Sequence, residues 1–260
     1  MTSLPTIISS LVSSAPPGEL NKVRDALTTI TGDSSTIDDA IEVYIKNGGA
    51  VFSKTYVASS ANKVSGSTKF VDHIHNQKFN VDLKTLSVID LEPVEPIDKP
   101  LYFDDLVDQL HKYGDDHYPS TFAFTLVPDS GDLEIVIIGE RKNEDNFFTG
   151  RWKSQYTLKS TGSIVGSVSL DIHYYEEGNV RLNFGEQVDS KINSTSASDI
   201  VNFINNTENE ITLKIVEYFN ELNQKSFKNL RRLLPITRSK VNWGKAIGNY
   251  RLGLDVVNRS

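Results

Sequence analysis

The chain contains no cysteine among its 260 residues. That excludes disulfides, a thiol nucleophile and any thiolate-bound metal, and it fits a reducing compartment. No stretch approaches 18 consecutive apolar residues, and the first residues lack a basic region running into an apolar one. Neither a spanning helix nor a secretory leader is expected, and the chain reads as soluble and intracellular. The phosphate-binding patterns G-x-x-x-x-G-K-[S/T] and G-x-G-x-x-G are missing, as is the hydrolase pattern G-x-S-x-G. Acids gather between Asp90 and Asp116 without the glycine and terminal glutamate of a calcium loop, and read as a solvated loop with a short helix around Tyr102–Tyr113. His73 and His75 would share one face of a strand, but with no third ligand nearby they read as surface histidines rather than a zinc site. His111 and His117 beside Asp115 and Asp116 read as a polar turn rather than an acid–base pair. No catalytic constellation emerges: an enzyme is not expected, nor a cofactor, nor a metal.

The fold class that the pattern supports is α+β. Ile7, Ile8, Leu11 and Val12 share one helical face, and Ala15-Pro16-Pro17-Gly18 stops that helix. Leu20, Val23, Leu27 and Ile30 mark a second helix. Ile37, Ala40, Ile41 and Tyr44 mark a third, capped by Ser35 or Thr36. Residues 1–49 therefore form an N-terminal helical bundle. Residues 50–118 form a small β-rich and acidic loop region. From 119 to 190 the chain alternates or runs apolar, with short Gly/Asp/Asn connections, as in a central antiparallel β-sheet. Residues 198–234 form a long helix over that sheet, capped by Ser198 or Asp199, with Ile200, Ile204, Ile211, Ile215, Phe219 and Leu222 inward. A helix of about 30 residues spans about 45 Å, whereas five strands at about 4.8 Å each are narrower. The mismatch points to a sheet continued by a second subunit.

Residues 235–260 form a C-terminal amphipathic arm. Between Lys225 and Ser260 stand nine basic residues and one acid; of the chain's 27 basic and 34 acidic residues, the rest keeps 18 and 33, a balance of +8 against −15. A basic end on an acidic body is suited to a partner of opposite sign. Lys228, Arg231 and Arg232 lie before Pro235; Arg238 and Lys240 follow it. Trp243, Ile247, Tyr250, Leu254 and Val257 recur at helical spacing, with Lys245 and Arg251 pointing elsewhere. Gly244, Gly248 and Gly253 each cost such a helix roughly 1 kcal/mol against alanine. The apolar face either packs on the chain's own body or docks in a foreign groove, where it would order on binding.

FKNLRRLLP followed by ITRSKVNW resembles the C-terminal signature of the α subunit of heterodimeric F-actin capping protein. Ile172 to Val180, IHYYEEGNV, is similar to that family's central signature, and Gly150-Arg151-Trp152-Lys153-Ser154 agrees as a third segment. The likeness runs from Ala15-Pro16-Pro17-Gly18-Glu19 to the end. It implies an obligate heterodimer with a capping protein β subunit. That dimer would bind the barbed end of actin filaments independently of Ca²⁺, blocking subunit addition and loss without severing. It implies a cytoplasmic place in the cortical actin cytoskeleton. Carried onto this chain, the filament-binding residues would be Lys228, Arg231, Arg232, Arg238, Lys240, Trp243, Lys245, Ile247, Tyr250, Arg251 and Leu254. In the central signature, His173, Tyr174 and Tyr175 read as strand residues engaged in sheet packing. The rival reading is a phosphoinositide or membrane-surface module using the same basic amphipathic end. The acidic body argues against nucleic acid.

Overall fold

The computed structural model describes residues 3–46, 51–53, 55–118, 121–145, 147–175, 180–192 and 194–225. The N-terminal helices are α1 (Leu4–Ser13), α2 (Leu20–Thr31) and α3 (Ser34–Lys46). Each has an apolar stripe, and Ile8, Val12, Leu20, Leu27, Ile37, Ala40 and Ile41 are buried in one cluster. The expected inward faces are too wide at two places. Ile7 and Leu11 stay 43% and 45% exposed, and Ile30 is 79% exposed at the end of α2. Gly32 then turns left-handed (φ 67°), and its N–H donates the closing backbone bond to the carbonyl of Thr28.

Asp33, not Ser35 or Thr36, caps α3. Its carboxylate accepts the Thr36 hydroxyl at 2.5 Å, the Thr36 N–H at 3.1 Å and the Ser35 hydroxyl at 2.9 Å. A carboxylate at this end also meets the positive pole of the helix.

Five short strands follow: β1 (Val51–Ser53), β2 (Tyr56–Ala58), β3 (Phe70–Asp72), β4 (Gln77–Asp82) and β5 (Ser87–Pro93). They form two small antiparallel sheets, β1-β2 and β3-β4-β5. Ala58, Phe70 and Phe79 join the buried cluster of the three helices, so bundle and small sheet share a core. The stretch expected to be loop from Asp90 thus begins inside β5, and His73 to Asn76 form a turn rather than strand. The expected short helix is α4 (Phe103–His117); it carries His111, Asp115, Asp116 and His117, which therefore do not form a turn.

The main sheet is a meander of β6 (Thr121–Asp129), β7 (Asp132–Asn143), β8 (Phe148–Leu158), β9 (Ser163–Tyr174) and β10 (Val180–Lys191), in the order β10-β9-β8-β7-β6. Ser130 and Gly131, both at positive φ (50° and 92°), close the β6–β7 hairpin, as a two-residue loop with matching twist requires. Antiparallel register puts Phe124, Leu126, Leu133, Ile135, Ile137, Trp152, Tyr156, Val168 and Leu170 on one face. That face buries against α4 and the long helix α5 (Ala197–Lys225). α5 starts in a reciprocal cap: the Ser196 hydroxyl accepts the Asp199 N–H and donates to its carboxylate. The cap residue is Ser196, two or three positions before those expected, and residues 226–234 of the expected helix lie outside the described residues.

The other face meets the bundle. Arg151 donates to Glu140 and to the Tyr44 hydroxyl, 107 residues earlier in the chain. Arg181 pairs with Asp171 and donates to the carbonyls of Ser14 and Ala15. The α1–α2 loop is thereby fastened to the sheet.

The cap of α3 gives a test with a definite sign. Hydrogen bonds from Thr36 and then Ser35 hold the Asp33 carboxyl below its ordinary value of 3.8. A depressed folded-state pKa contributes stability above the unfolded value and loses it as pH falls. Asp33→Ala is expected to lower the melting temperature at pH 7, with the gap to the parent closing as the pH drops below about 4. A gap that persists unchanged in acid would remove Asp33 as the cap.

Candidate functional site

α5 presents a nearly uniform inward row: Ile200, Ile204, Ile211 and Ile215 are all at most 2% exposed. The exception is Glu208, which is fully buried among them. An isolated carboxylate in such a place is costly unless its oxygens are hydrogen-bonded. Four hydroxyls meet it. Tyr113 and Tyr118 donate to Oε2 at 2.7 and 2.9 Å; Ser154 and Tyr156 donate to Oε1 at 2.7 and 3.3 Å. Trp152 Nε1 in turn donates to the Ser154 hydroxyl at 2.8 Å. Burial, and next the charge of Glu208, push the Tyr156 phenol far above its ordinary value, which keeps it a donor.

The donors come from three places: Tyr113 from α4, Tyr118 from its C-cap, and Ser154 and Tyr156 from β8. Gly139 lets Tyr118 reach inward. A Cβ there would stand 2.2 Å from the Tyr118 ring. On the next turn Thr212 donates its hydroxyl to the carbonyl of Glu208 at 2.7 Å. The sequence signal for this cluster was the gap of seven between Ile204 and Ile211, where the middle position holds a carboxylate.

The second feature is the sheet edge. Among the described residues β10 is hydrogen-bonded to β9 alone, over all 12 of its positions. Its residues on the helix side, Leu182, Phe184 and Val188, are only half-buried at the margin of the core. Lys214 of α5 reaches Glu186 of β10 at 2.8 Å in an exposed pair.

The central signature falls where β9 ends. Ile172 is in the core, and Tyr174 packs against Phe148 with ring centroids 5.1 Å apart. Burial pushes the Tyr174 phenol up to about 12, against the opposing pull of Arg141. His173 is buried and stacks on Tyr175, which lies just past the strand. These residues are engaged in packing, as expected; the turn at 176–179 lies outside the described residues. His75 bonds Asp72 at 2.5 Å, and burial, followed by Lys99, pulls His73 below its ordinary value. Among the described residues no three His, Asp or Glu side chains are grouped to hold a metal ion, and no helix is long and apolar enough to cross a membrane.

The sequence-derived filament-binding residues Lys228, Arg231, Arg232, Arg238, Lys240, Trp243, Lys245, Ile247, Tyr250, Arg251 and Leu254 all lie outside the described residues. What the structure describes is the platform that leads to them: α5, its buried carboxylate and the open edge beside it.

A family profile described as F-actin capping protein alpha subunit matches residues 8–255. The chain is 60% identical over 259 residues to the F-actin-capping protein subunit alpha of Debaryomyces hansenii, covering 98% of this chain and 97% of that one. It is 47% identical to that of Candida albicans, with 97% of each covered. The Saccharomyces cerevisiae protein of the same name is 36% identical, covering 95% and 94%. The solved homodimeric actin capping protein alpha subunit of Plasmodium berghei has the same fold, with a TM-score of 0.69 at 21% identity over 89% of this chain and 96% of that one.

The hydroxyl cage is open to a direct test by substitution. Tyr113→Phe and Tyr118→Phe each remove one donor from a buried carboxylate, and each is expected to cost about 1–3 kcal/mol in denaturant unfolding. Because both bond the same oxygen, the double variant is expected to depart from the sum of the singles. Strict additivity would show that the two hydroxyls do not act on one group.

Proposed function

This chain belongs to the F-actin capping protein alpha subunit family, and on that premise we propose that it is one half of a heterodimer that binds the barbed end of actin filaments. Its partner is a capping protein β subunit. The observation that carries the reading is the end of the sheet. β10 offers a full-length hydrogen-bonding edge beside a half-covered apolar row, and α5, at about 43 Å, is more than twice the sheet's width of about 19 Å. A second five-stranded sheet laid along β10 would pair that edge, cover Leu182, Phe184 and Val188, and give the long helix something to lie over. Leu4, Ile7 and Leu11 form a further exposed apolar stripe on α1 that the same partner could cover.

Capping then proceeds by binding alone, in two physical steps. Lys228, Arg231, Arg232, Arg238 and Lys240 sit next to an acidic body, and they steer the complex to an acidic filament surface. The apolar face of the arm, with Trp243, Ile247, Tyr250 and Leu254 as anchors and Lys245 and Arg251 at its rim, docks in a groove and slows departure. None of this calls on Ca²⁺, and nothing in it cuts a filament. The cellular place that follows is the cytoplasm, at cortical actin structures. Phosphoinositide headgroups would compete for the same basic cluster, which makes membrane-surface binding a form of regulation rather than the main activity.

The test is co-expression with a β subunit and measurement of elongation from filament seeds. Arg231→Glu with Arg232→Glu is expected to slow barbed-end association steeply and flatten its salt dependence; an unchanged association rate would refute steering. Ending the chain after Pro235 is expected to speed dissociation and leave the heterodimer intact. A truncated dimer that departs no faster would refute the docking arm.

A further inference from the structure

We infer that Glu208 is a positioning residue for filament binding: its hydroxyl cage fixes which turn of α5 lies over β8, and thereby where the chain beyond Lys225 leaves the sheet. This rests on the proposed role of residues 228–254 and adds to it a device inside the described fold.

The apolar contacts of α5 leave its position along the sheet poorly specified. A move of one turn, about 5.4 Å, carries Ile200 toward the place of Ile204 and Ile211 toward that of Ile215. Like replaces like, on a broad apolar surface. The reciprocal cap at Ser196 lies at the start of α5 itself and does not tie the helix to the sheet. The Lys214–Glu186 pair is exposed on both sides and worth little.

Glu208 breaks this degeneracy. One turn of displacement would withdraw the carboxylate from all four hydroxyls and put Ile204 in their midst. The tyrosines and Ser154 would lose their acceptor, and the carboxylate would face apolar side chains. Both losses are expensive in a dry interior. Because the donors belong to α4, its C-cap and β8, the cage measures α5 against both neighbours at once. Burying a carboxylate with its partners is a poor way to gain stability, since an all-apolar set of similar volume commonly does as well. Its use here is register. Helices packed on such surfaces do switch by whole turns, so a pin against that step has a physical role. The end of α5 at Lys225, from which residues 228–254 follow, would be displaced by the same 5.4 Å or so.

The absence of native cysteine makes the test direct. In the heterodimer with a cysteine-free β subunit, Leu213→Cys on the outer side of α5 is paired with Asp105→Cys on α4, or with Ser169→Cys on β9, and spin-label distances are measured. The parent is expected to give one distance for each pair. Glu208→Leu is expected to melt lower than the parent, because four buried hydroxyls lose their acceptor, to add a second distance population, and to dissociate from barbed ends roughly tenfold faster with association within about twofold. Glu208→Gln, which keeps an acceptor in the cage, is expected to restore the single distance and slow dissociation again. If Glu208→Leu does not fold, Tyr113→Phe with Tyr118→Phe carries the same measurement, with the same second population expected. Parent-like distances and parent-like dissociation in the altered proteins would overturn the inference. So would faster dissociation that only tracks lost thermal stability. Failure of the arm itself reads out separately, as a chain ended after Pro235 that dissociates at the parental rate.

Discussion

A flat apolar sheet face gives a helix every reason to lie down and little reason to stop at one place. In this protein the stop is a single carboxylate, Glu208, held by Tyr113, Tyr118, Ser154 and Tyr156. The rest of the upper layer is arranged to make that contact possible. Gly139 clears space for Tyr118, Trp152 orients the Ser154 hydroxyl, and α4 carries Tyr113 into the layer beside Phe103, Leu106 and Leu110. Hydrophobic burial supplies the driving force, and the polar knot supplies the address.

The same strand that serves the knot also ties the two halves of the molecule together. Along β8, Trp152, Ser154 and Tyr156 point to the helices, while Arg151 and Lys153 point to the bundle side. Arg151 closes a bridge among Glu140 on β7 and Tyr44 on α3. Burial, followed by repulsion from Arg151, lowers the proton affinity of the Lys153 amine, with Glu134 opposing. The five-residue segment Gly150–Ser154 is therefore a two-sided connector, whose alternation assigns each side chain to a different core.

Much of this was legible because periodicity reports burial. Ile37, Ala40 and Ile41 gave α3, and the Asp129–Asp132 turn gave the β6–β7 hairpin. The inward isoleucines gave α5. Capping was misplaced by two or three residues, because Asp33 and Ser196 compete with neighbouring Ser, Thr and Asp that have the same chemistry. β5 stayed hidden because its residues from Ile89 to Pro93 are exposed, so an edge strand there carries acids instead of an alternating pattern. Glu208 was hidden for a different reason. Its partners are spread from Tyr113 to Tyr156, and no local pattern predicts that four distant hydroxyls converge on one helix turn. The reading of an arm rests on charge and spacing alone, and residues 228–254 lie outside the described residues.

The hold of Arg181 on the carbonyls of Ser14 and Ala15 joins positions more than 160 residues apart. During synthesis the first helices therefore leave the ribosome long before the strand that fastens them has been made. The Arg181 contact can form only once β10 is out, after Arg151 of β8 is already available to Tyr44, and it is late for the same reason that non-local strand pairing is slow. That strand is also the one at the margin of the main sheet, hydrogen-bonded among the described residues to β9 alone. This edge of the main sheet is thus the last of its strands to be made, which shortens the time an unpaired edge is exposed to misassembly.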